Sequence, residues 1–252
     1  MSIVYRPLAF FHSSHKETYE APRQSVLAEN AKGWFELDKD YGVEALEDLK
    51  GFERVWLLYD FHNNKSWKAK VRPPRFSKLK RSVFSTRSPY RPNSIGLSCV
   101  KLEKIEGRRV FVSGHDILEG SPILDIKPYI PYADAFPESK TGWLKPDPGY
   151  EVLIEVLEQV EWLEKKLGLS FKQILSNQLA YEPTHSKAKR VKKTEEAYVF
   201  AIRTWRFLFQ VEGSRVRIFK VLSGYTREDL VDAKDPYSDK EIHRLFLETF
   251  RE

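Results

Sequence analysis

Short, largely apolar runs of β-type residues dominate the first half of the chain. Leu8–Phe11, Trp34–Leu37, Val55–Phe61, Val83–Ser85, Ser98–Lys104 and Arg109–Ser113 read as β-strands separated by turn-forming residues. Glu106-Gly107 between the last two predicts a hairpin turn. Val43–Leu49 is the one helical stretch in this half. Many short strands with few helices between them predict a closed or nearly closed antiparallel barrel, not alternating strands and crossover helices.

The pattern changes at Lys145-Pro146-Asp147-Pro148-Gly149, where two prolines and a glycine forbid regular structure and mark a linker. Residues 1–145 are therefore read as the barrel domain and 149–252 as a second domain. Leu153, Val156, Leu157, Val160, Leu163 and Leu167 recur at steps of three and four, predicting a helix with one apolar stripe that stops at Gly168. Ser170 is placed to cap a second helix reaching about Ala180. A basic loop with Lys187, Lys189, Arg190, Lys192 and Lys193 follows. Tyr198–Val211 and Arg215–Val221 flank Glu212-Gly213-Ser214 and predict a hairpin carrying Trp205, Phe207 and Phe209 on one face; Ser238–Phe250 predicts a terminal helix. The expected fold class is mainly β, an N-terminal antiparallel barrel with a smaller α+β C-terminal domain.

With 41% hydrophobic residues in 252, the chain is long enough to bury a substantial core. Lys and Arg exceed Asp and Glu by 42 to 36, but the excess is local. From Lys65 to Arg91 there are ten Lys or Arg and no Asp or Glu, interleaved with Trp67, Phe76, Phe84 and Tyr90. Cations that release counterions on phosphate contact, mixed with aromatic faces that stack bases, suit single-stranded or looped RNA. The plainer alternative is a solvated loop whose lysines serve solubility. Cys99 is the single cysteine, so an intrachain disulfide or a cysteine-based metal site within one chain is excluded, and a reducing, cytoplasmic setting is expected. Arg6 and Pro7 interrupt the N-terminal apolar residues, so no signal peptide is expected, and no apolar run approaches the ~20 residues of a membrane-spanning helix.

Thr86-Arg87-Ser88-Pro89-Tyr90-Arg91-Pro92-Asn93-Ser94-Ile95-Gly96 combines two prolines that fix φ, a glycine that permits close approach, and arginines suited to carboxylate or phosphate. Asp125-Ile126-Lys127-Pro128-Tyr129 offers a carboxylate, an ammonium and a phenol, which alternation places on one face of an extended segment. A salt-bridged strand edge explains the same residues. His62 and His115 stand singly in sequence and read first as structural histidines. The zincin, P-loop and Rossmann glycine motifs do not occur.

Ala21-Pro22-Arg23-Gln24, Val55-Trp56 through Phe61-His62, Val71-Arg72-Pro73-Pro74-Arg75, Val83-Phe84 through Gly96-Leu97-Ser98, and Asp125-Ile126-Lys127-Pro128-Tyr129 with Pro131 together resemble the TrmO family, also called TsaA-like or YaeB-like. The resemblance spans roughly residues 5 to 135 and extends more loosely through the C-terminal helices and hairpin. It implies an S-adenosylmethionine-dependent enzyme that methylates N6 of N6-threonylcarbamoyladenosine beside the anticodon of a threonine tRNA. It further implies a barrel unlike the usual Rossmann methyltransferase, acting as a homodimer. By the same resemblance the cofactor lies against Pro22, Arg23, Gln24, Phe61, His62, Arg87, Leu97, Ile117, Leu118, Glu119 and Gly120. Asn93, Asp125 and Tyr129 are the implied catalytic residues, and Arg91, Lys127, Arg72 and Arg75 fall on the substrate side. Two motifs depart from the family pattern. Glu119-Gly120-Ser121-Pro122 stands where the family usually has Asp-Gly-Thr-Pro, and Glu182-Pro183-Thr184-His185-Ser186-Lys187 replaces the bacterial Asp-Pro-Arg-Pro-Ala-Tyr segment. Residues after Tyr225 read as an extension.

Methyl transfer from sulfonium to nitrogen is an in-line displacement, in which orientation accounts for ~7 kcal/mol or more of the barrier and no metal is needed. An N6 bearing a carbonyl substituent is a poor nucleophile until its proton is held or removed, which gives Asp125 or Tyr129 a role, with Asn93 orienting the base. Lys127 or Arg91 is placed to meet the threonyl carboxylate. Two other functions remain open from the residues: an RNA-binding barrel without catalysis, and a methyltransferase acting on a small molecule.

Overall fold

The computed structural model describes residues 3–22, 31–73, 79–144, 149–184 and 190–250. Arg23, Gln24, Arg75, Phe76, Lys187, Lys189 and most of the predicted linker, 145–148, lie outside the described residues. The chain divides into two compact units, Met1–Asp147 and Pro148–Glu252.

The first unit is a closed barrel in the order β1-β2-β7-β6-β3-β8, built from Ala9–Ser13 (β1), Lys32–Glu36 (β2), Arg54–Asp60 (β3), Ile95–Glu106 (β6), Arg109–Ser113 (β7) and Pro122–Pro128 (β8). Each pairing is antiparallel. Closure removes the open edges that would otherwise invite aggregation. Burial alternates along the strands even where the sequence is apolar on both faces. Val55, Leu57 and Tyr59 of β3 point inward and are buried with Phe11, Phe35, Val100, Val110, Val112 and Ile123, while Arg54, Trp56 and Leu58 face out. The hairpin between β6 and β7 turns at Gly107, whose φ of +57° is a left-handed conformation that glycine adopts without strain.

Three local expectations are corrected. Val83–Ser85 is a 3₁₀ turn, not a strand; it follows a two-stranded ribbon of Lys70–Val71 (β4) and Arg81–Ser82 (β5). Val43–Gly51 is helical as expected but as a 3₁₀ helix, with Leu46 buried in the barrel core. Leu153 does not begin a helix. Glu151–Ile154 (β9) pairs in parallel with Arg215–Ser223 (β13), and the helix runs only over Leu157–Leu167. It stops where Gly168 turns left-handed at φ +63°.

The second unit is a five-stranded sheet in the order β10-β11-β12-β13-β9, with Val191–Lys193 (β10), Tyr198–Ile202 (β11) and Trp205–Glu212 (β12). The single long strand expected from Tyr198 is thus two, broken at Arg203-Thr204, where Arg203 has φ +49°. Trp205, Phe207 and Phe209 do share the buried face. The helix Phe171–Leu179 begins after Ser170, whose side chain makes no capping bond. Past Tyr225 the chain forms helix Arg227–Val231, capped reciprocally by Thr226 and Asp229, and helix Lys240–Thr249. The second helix is fastened by a buried polar cluster. His243 stacks on Trp205 at 3.6 Å between centroids, and its two ring nitrogens lie 2.8 Å from Ser223 Oγ and 2.9 Å from Thr204 Oγ1. Thr204 in turn donates to Asp239 at 2.6 Å. Among the described residues no helix is long and apolar enough to cross a membrane, and no group of three or more His, Cys, Asp or Glu is arranged to hold a metal ion.

Candidate active site at one end of the barrel

Strand register gathers several chemically capable segments at one end of the barrel. Asp60 pairs with Ile95 and Tyr59 with Ile123, so the end of β3 and the starts of β6 and β8 lie together. Phe61 follows β3 and donates its N–H to Ser94 O at 2.7 Å; Ser94 also hydrogen-bonds Asp60 through its hydroxyl. His62 Nδ1 lies 3.3 Å from Ser121 Oγ, which joins the Phe61-His62 segment to the segment Ile117–Gly120. The latter is laid along β1 by Gly120 N–H to Phe11 O, 2.8 Å, and Glu119 N–H to His15 O, 2.9 Å. Gly120 has φ +73°, a turn that any other side chain strains.

Beneath these segments runs a polar chain. The hydroxyls of Tyr59 and Ser98 are 3.3 Å apart, and Ser98 donates to Asp116. Burial pushes the Asp116 carboxyl above its ordinary range, opposed by the Ser98 hydrogen bond and by the Arg87 guanidinium. Burial and the Asp116 charge together push the Tyr59 phenol up, so it remains protonated at neutral pH. Phe61 packs edge-on against Tyr59 at 5.2 Å. The sequence assigns no role to Asp116, Ser98, Tyr59 or Ser121, although Ser98 and Ser121 stand within family motifs. Their signal was faint, since a buried Ser or Asp has no periodicity of its own. His115, read as structural, is buried under the same segment, and burial reinforced by His15 lowers its pKa to about 4.

The predicted site residues divide into three groups. Phe61, His62, Arg87, Ile117, Leu118, Glu119 and Gly120 converge on this end. Glu119 directs its carboxylate at β1, accepting from the Ser13 N–H and lying 3.1 Å from His12 Nδ1, so its extra methylene reaches back to hold the segment in place. Pro22 is buried, and Asn93 is exposed just before Ser94.

A second group lies on the outer barrel wall. Leu97, Leu58 and Asp125 form one row across β6, β3 and β8; Cys99, Trp56 and Lys127 form the next. Leu97 is 57% exposed there. Lys127 Nζ pairs with Asp125 Oδ2 at 2.8 Å, both at the surface. Tyr129 meets the Trp56 ring edge-on at 5.7 Å, and Trp56 Nε1 donates to Asp134. Ile123 to Tyr129 is about 20 Å at the usual strand rise, so Tyr129 stands at the end of the barrel opposite Asn93.

The third group is the cationic ribbon. Arg72 is exposed at the end of β4. Arg91 Nη1 donates to the carbonyls of Val83, 3.2 Å, and Thr86, 2.8 Å, and so spends part of its guanidinium on the backbone of the 3₁₀ turn.

A family model described as the tRNA-methyltransferase O N-terminal domain matches residues 10–135, half of the chain. The chain belongs to the TrmO family. Its likeness to relatives runs past the barrel. A putative S-adenosylmethionine-dependent methyltransferase, RcsF, of Pseudomonas aeruginosa is 37% identical over 204 residues, covering 79% of this chain and 87% of that protein. The tRNA (adenine(37)-N6)-methyltransferase of Escherichia coli strain K12 is 31% identical over 222 residues, covering 81% of this chain and 93% of that protein. The crystal structure of TrmO from Pseudomonas aeruginosa superposes with a TM-score of 0.66 at 31% identity, over 88% of this chain and 99% of that one. Phe61-His62, Arg87, Ser94 and Ile117–Ser121, the segments gathered at the barrel end, all lie inside the TrmO-matched residues.

Proposed function

We propose that the chain transfers a methyl group from S-adenosylmethionine to N6 of an adenine in tRNA, and that this adenine is N6-threonylcarbamoyladenosine beside the anticodon of threonine tRNA. The observation that carries the reading is the match along 81% of the chain to nearly the whole of a tRNA adenine-N6 methyltransferase. The barrel end fits the donor. A carboxyl driven upward in pKa by burial, as Asp116 is, sits where an added positive charge is welcome, and an amino-acid-bearing sulfonium brings two. Arg87 is the matching group for the donor's carboxylate, and Phe61, packed on Tyr59, offers an aromatic face to a purine. His62, Ser121 and the backbone of Ile117–Gly120 supply further polar contacts.

When bound, S-adenosylmethionine supplies an electrophilic methyl on sulfur. The chain's own residues then orient the acceptor, exclude water and take a proton from N6. In this reading Asn93 orients the base, Asp125 or Tyr129 holds or accepts the proton, and Lys127 meets the threonyl carboxylate. Arg91 is given the different task of holding the turn before it, and Arg72 faces the tRNA backbone. Asn93 and Tyr129 stand at opposite barrel ends within one chain, so a site that uses both is completed by a second copy. The outer wall bearing exposed Ile95 and Leu97 beside half-buried Trp56 is a surface for such a homodimer. A cytoplasmic location goes with a tRNA substrate.

The test is methyl transfer from labelled S-adenosylmethionine to tRNA taken from cells lacking this protein, followed by mass spectrometry of the nucleosides. Methylated N6-threonylcarbamoyladenosine in threonine tRNA is the expected product. Salt-dependent tRNA binding with no S-adenosylmethionine binding by calorimetry would leave an RNA-binding barrel in its place.

A further inference from the structure

The 3₁₀ turn Val83–Ser85 carries its central side chain, Phe84, outward with 75% of its surface exposed. Solitary exposed apolar residues are ordinary. What sets Phe84 apart is how its backbone is held. Val83 is buried, and its N–H bonds Ala69 O at 2.9 Å on the neighbouring segment. Val83 O accepts from Arg91 Nη1 and from the Thr86 hydroxyl, 2.8 Å; Thr86 O accepts from the same Arg91 nitrogen; Ser85 O accepts from Trp143 Nε1 at 3.0 Å. Arg81 lies over the Trp143 ring at 5.1 Å, and Arg91 lies 5.8 Å from the Phe84 centroid. A turn of three residues is thus fixed from two sides while its largest apolar group faces solvent.

The surroundings specify what meets that group. Phe84 sits within the stretch from Lys65 to Arg91 that has ten cations and no carboxylate. Tyr90 and Trp67 are exposed in the same stretch, with Lys68 Nζ 4.7 Å from the Tyr90 centroid. Fixed aromatic rings among cations match unpaired bases on a phosphate backbone and match poorly the paired bases of a duplex.

We propose that Phe84 is a stacking platform for an unpaired base of the RNA substrate, and that Arg91 and Trp143 are positioning residues that fix the turn presenting it. The inference deepens the tRNA methyltransferase reading by naming where the loop nucleotides lie, and it depends on that reading only for the identity of the RNA.

The experiment measures binding of a fluorescent oligouridylate, of the same length of duplex RNA, and of S-adenosylmethionine to the full chain and its variants. Because Phe84 is exposed, F84A folds as the parent does, which thermal unfolding checks. Stacking on one base is worth a factor of roughly 5 to 100 in affinity. F84A is therefore expected to weaken oligouridylate binding by about tenfold with S-adenosylmethionine affinity unchanged. F84W is expected to retain it, and F84L to fail because it keeps apolar bulk without a π-face. R91Q is expected to weaken binding on its own but to add little to F84A, as coupled residues do. An arginine bound directly to phosphate would instead add its full loss.

Equal oligouridylate affinity in parent, F84A and F84L overturns the proposal. So does a loss on the duplex as large as on the single strand, or a Phe84-dependent association with anionic lipid vesicles and none with RNA. If the parent binds no S-adenosylmethionine yet the Phe84 series behaves as expected, the platform stands and the methyltransferase reading falls.

Discussion

The Tyr59 ring lies so close against Gly96 that a Cβ on that residue would meet Tyr59 Cζ at 2.4 Å. Tyr59 and Gly96 are directly paired across β3 and β6, and the ring fills the inward space a side chain at position 96 would take. Ser98, one inward step further along β6, uses the resulting position of the phenol. G96A is expected to displace the ring, costing about 1–3 kcal/mol of stability as overpacked cores do. Because the Tyr59–Ser98–Asp116 chain moves with the ring, S-adenosylmethionine affinity falls as well. Urea unfolding and calorimetry read the two effects separately.

The barrel was legible because its strands are short runs of apolar and aromatic residues set between turn-forming residues, with few helices among them. Two kinds of element escaped that logic. β8 carries Asp125 and Lys127 on its outer face and proline at both ends, so it read only as an extended segment. β9 continues into a helix without a break in its apolar spacing, and its identity as a strand is decided by parallel pairing with β13, over sixty residues away. The site was legible in part. Pro, Gly and Arg in the stretch from Thr86 to Gly96 announced a shaped turn, but whether an arginine serves a ligand or the turn's own carbonyls depends on where its guanidinium ends, as Arg91 shows. Asp116 gained its significance from burial beside Ser98, which no spacing records.

Asp116→Asn removes the negative charge while keeping the size and the hydrogen bond from Ser98. If the carboxylate receives the donor's positive charge, the variant loses a charge-assisted contact worth about 1.5–3 kcal/mol, roughly ten- to hundredfold in affinity. The parent's affinity is also expected to fall on acidification, at a higher pH than an ordinary aspartate would give, because burial raises the pKa of the carboxyl. The variant should lack that pH dependence. Calorimetric titration of S-adenosylmethionine across the acid range compares the two.

His115 makes stability itself depend on pH. Its folded-state pKa is about 4, against an ordinary value near 6.5, chiefly through burial and then through His15, whose ring lies 5.1 Å away. The unfolded chain therefore binds the proton more readily, and the stabilising contribution is complete above about pH 6.5 and lost progressively as the pH falls toward 4. The full loss is about 3 kcal/mol. Denaturant unfolding at pH 7 and pH 4.5 should show the parent losing more stability than H115Q. Equal losses would mean that the imidazole is not the group responsible.

Removing the Lys127–Asp125 pair separates stability from function. Both side chains are at the surface, where such a pair contributes at most about 1 kcal/mol, so K127A should unfold within that margin of the parent. If Lys127 receives the threonyl carboxylate, the same variant raises KM for tRNA carrying threonylcarbamoyladenosine and leaves binding of unmodified tRNA unchanged. Equal ratios of the two affinities in K127A and the parent remove Lys127 from the substrate side.

Whether two copies share one site is decided by mixing inactive variants. Asn93 and Tyr129 are about 20 Å apart along the barrel in a single chain, and a shared site therefore brings Tyr129 from one copy to Asn93 of another. N93A and Y129F are each expected to lose most methyl transfer. When the two are co-expressed, some dimers contain one site in which both defects fall on the same side, leaving the other site intact, and activity partly returns. If each variant acted within its own chain, no pairing would restore an intact site and the mixture would stay as inactive as its components. Sedimentation of the parent protein, run alongside, shows whether the dimer is present at the assay concentration, and the exposed Leu97 on the outer wall gives a way to weaken it: L97E should shift the protein toward monomer and lose methyl transfer in proportion.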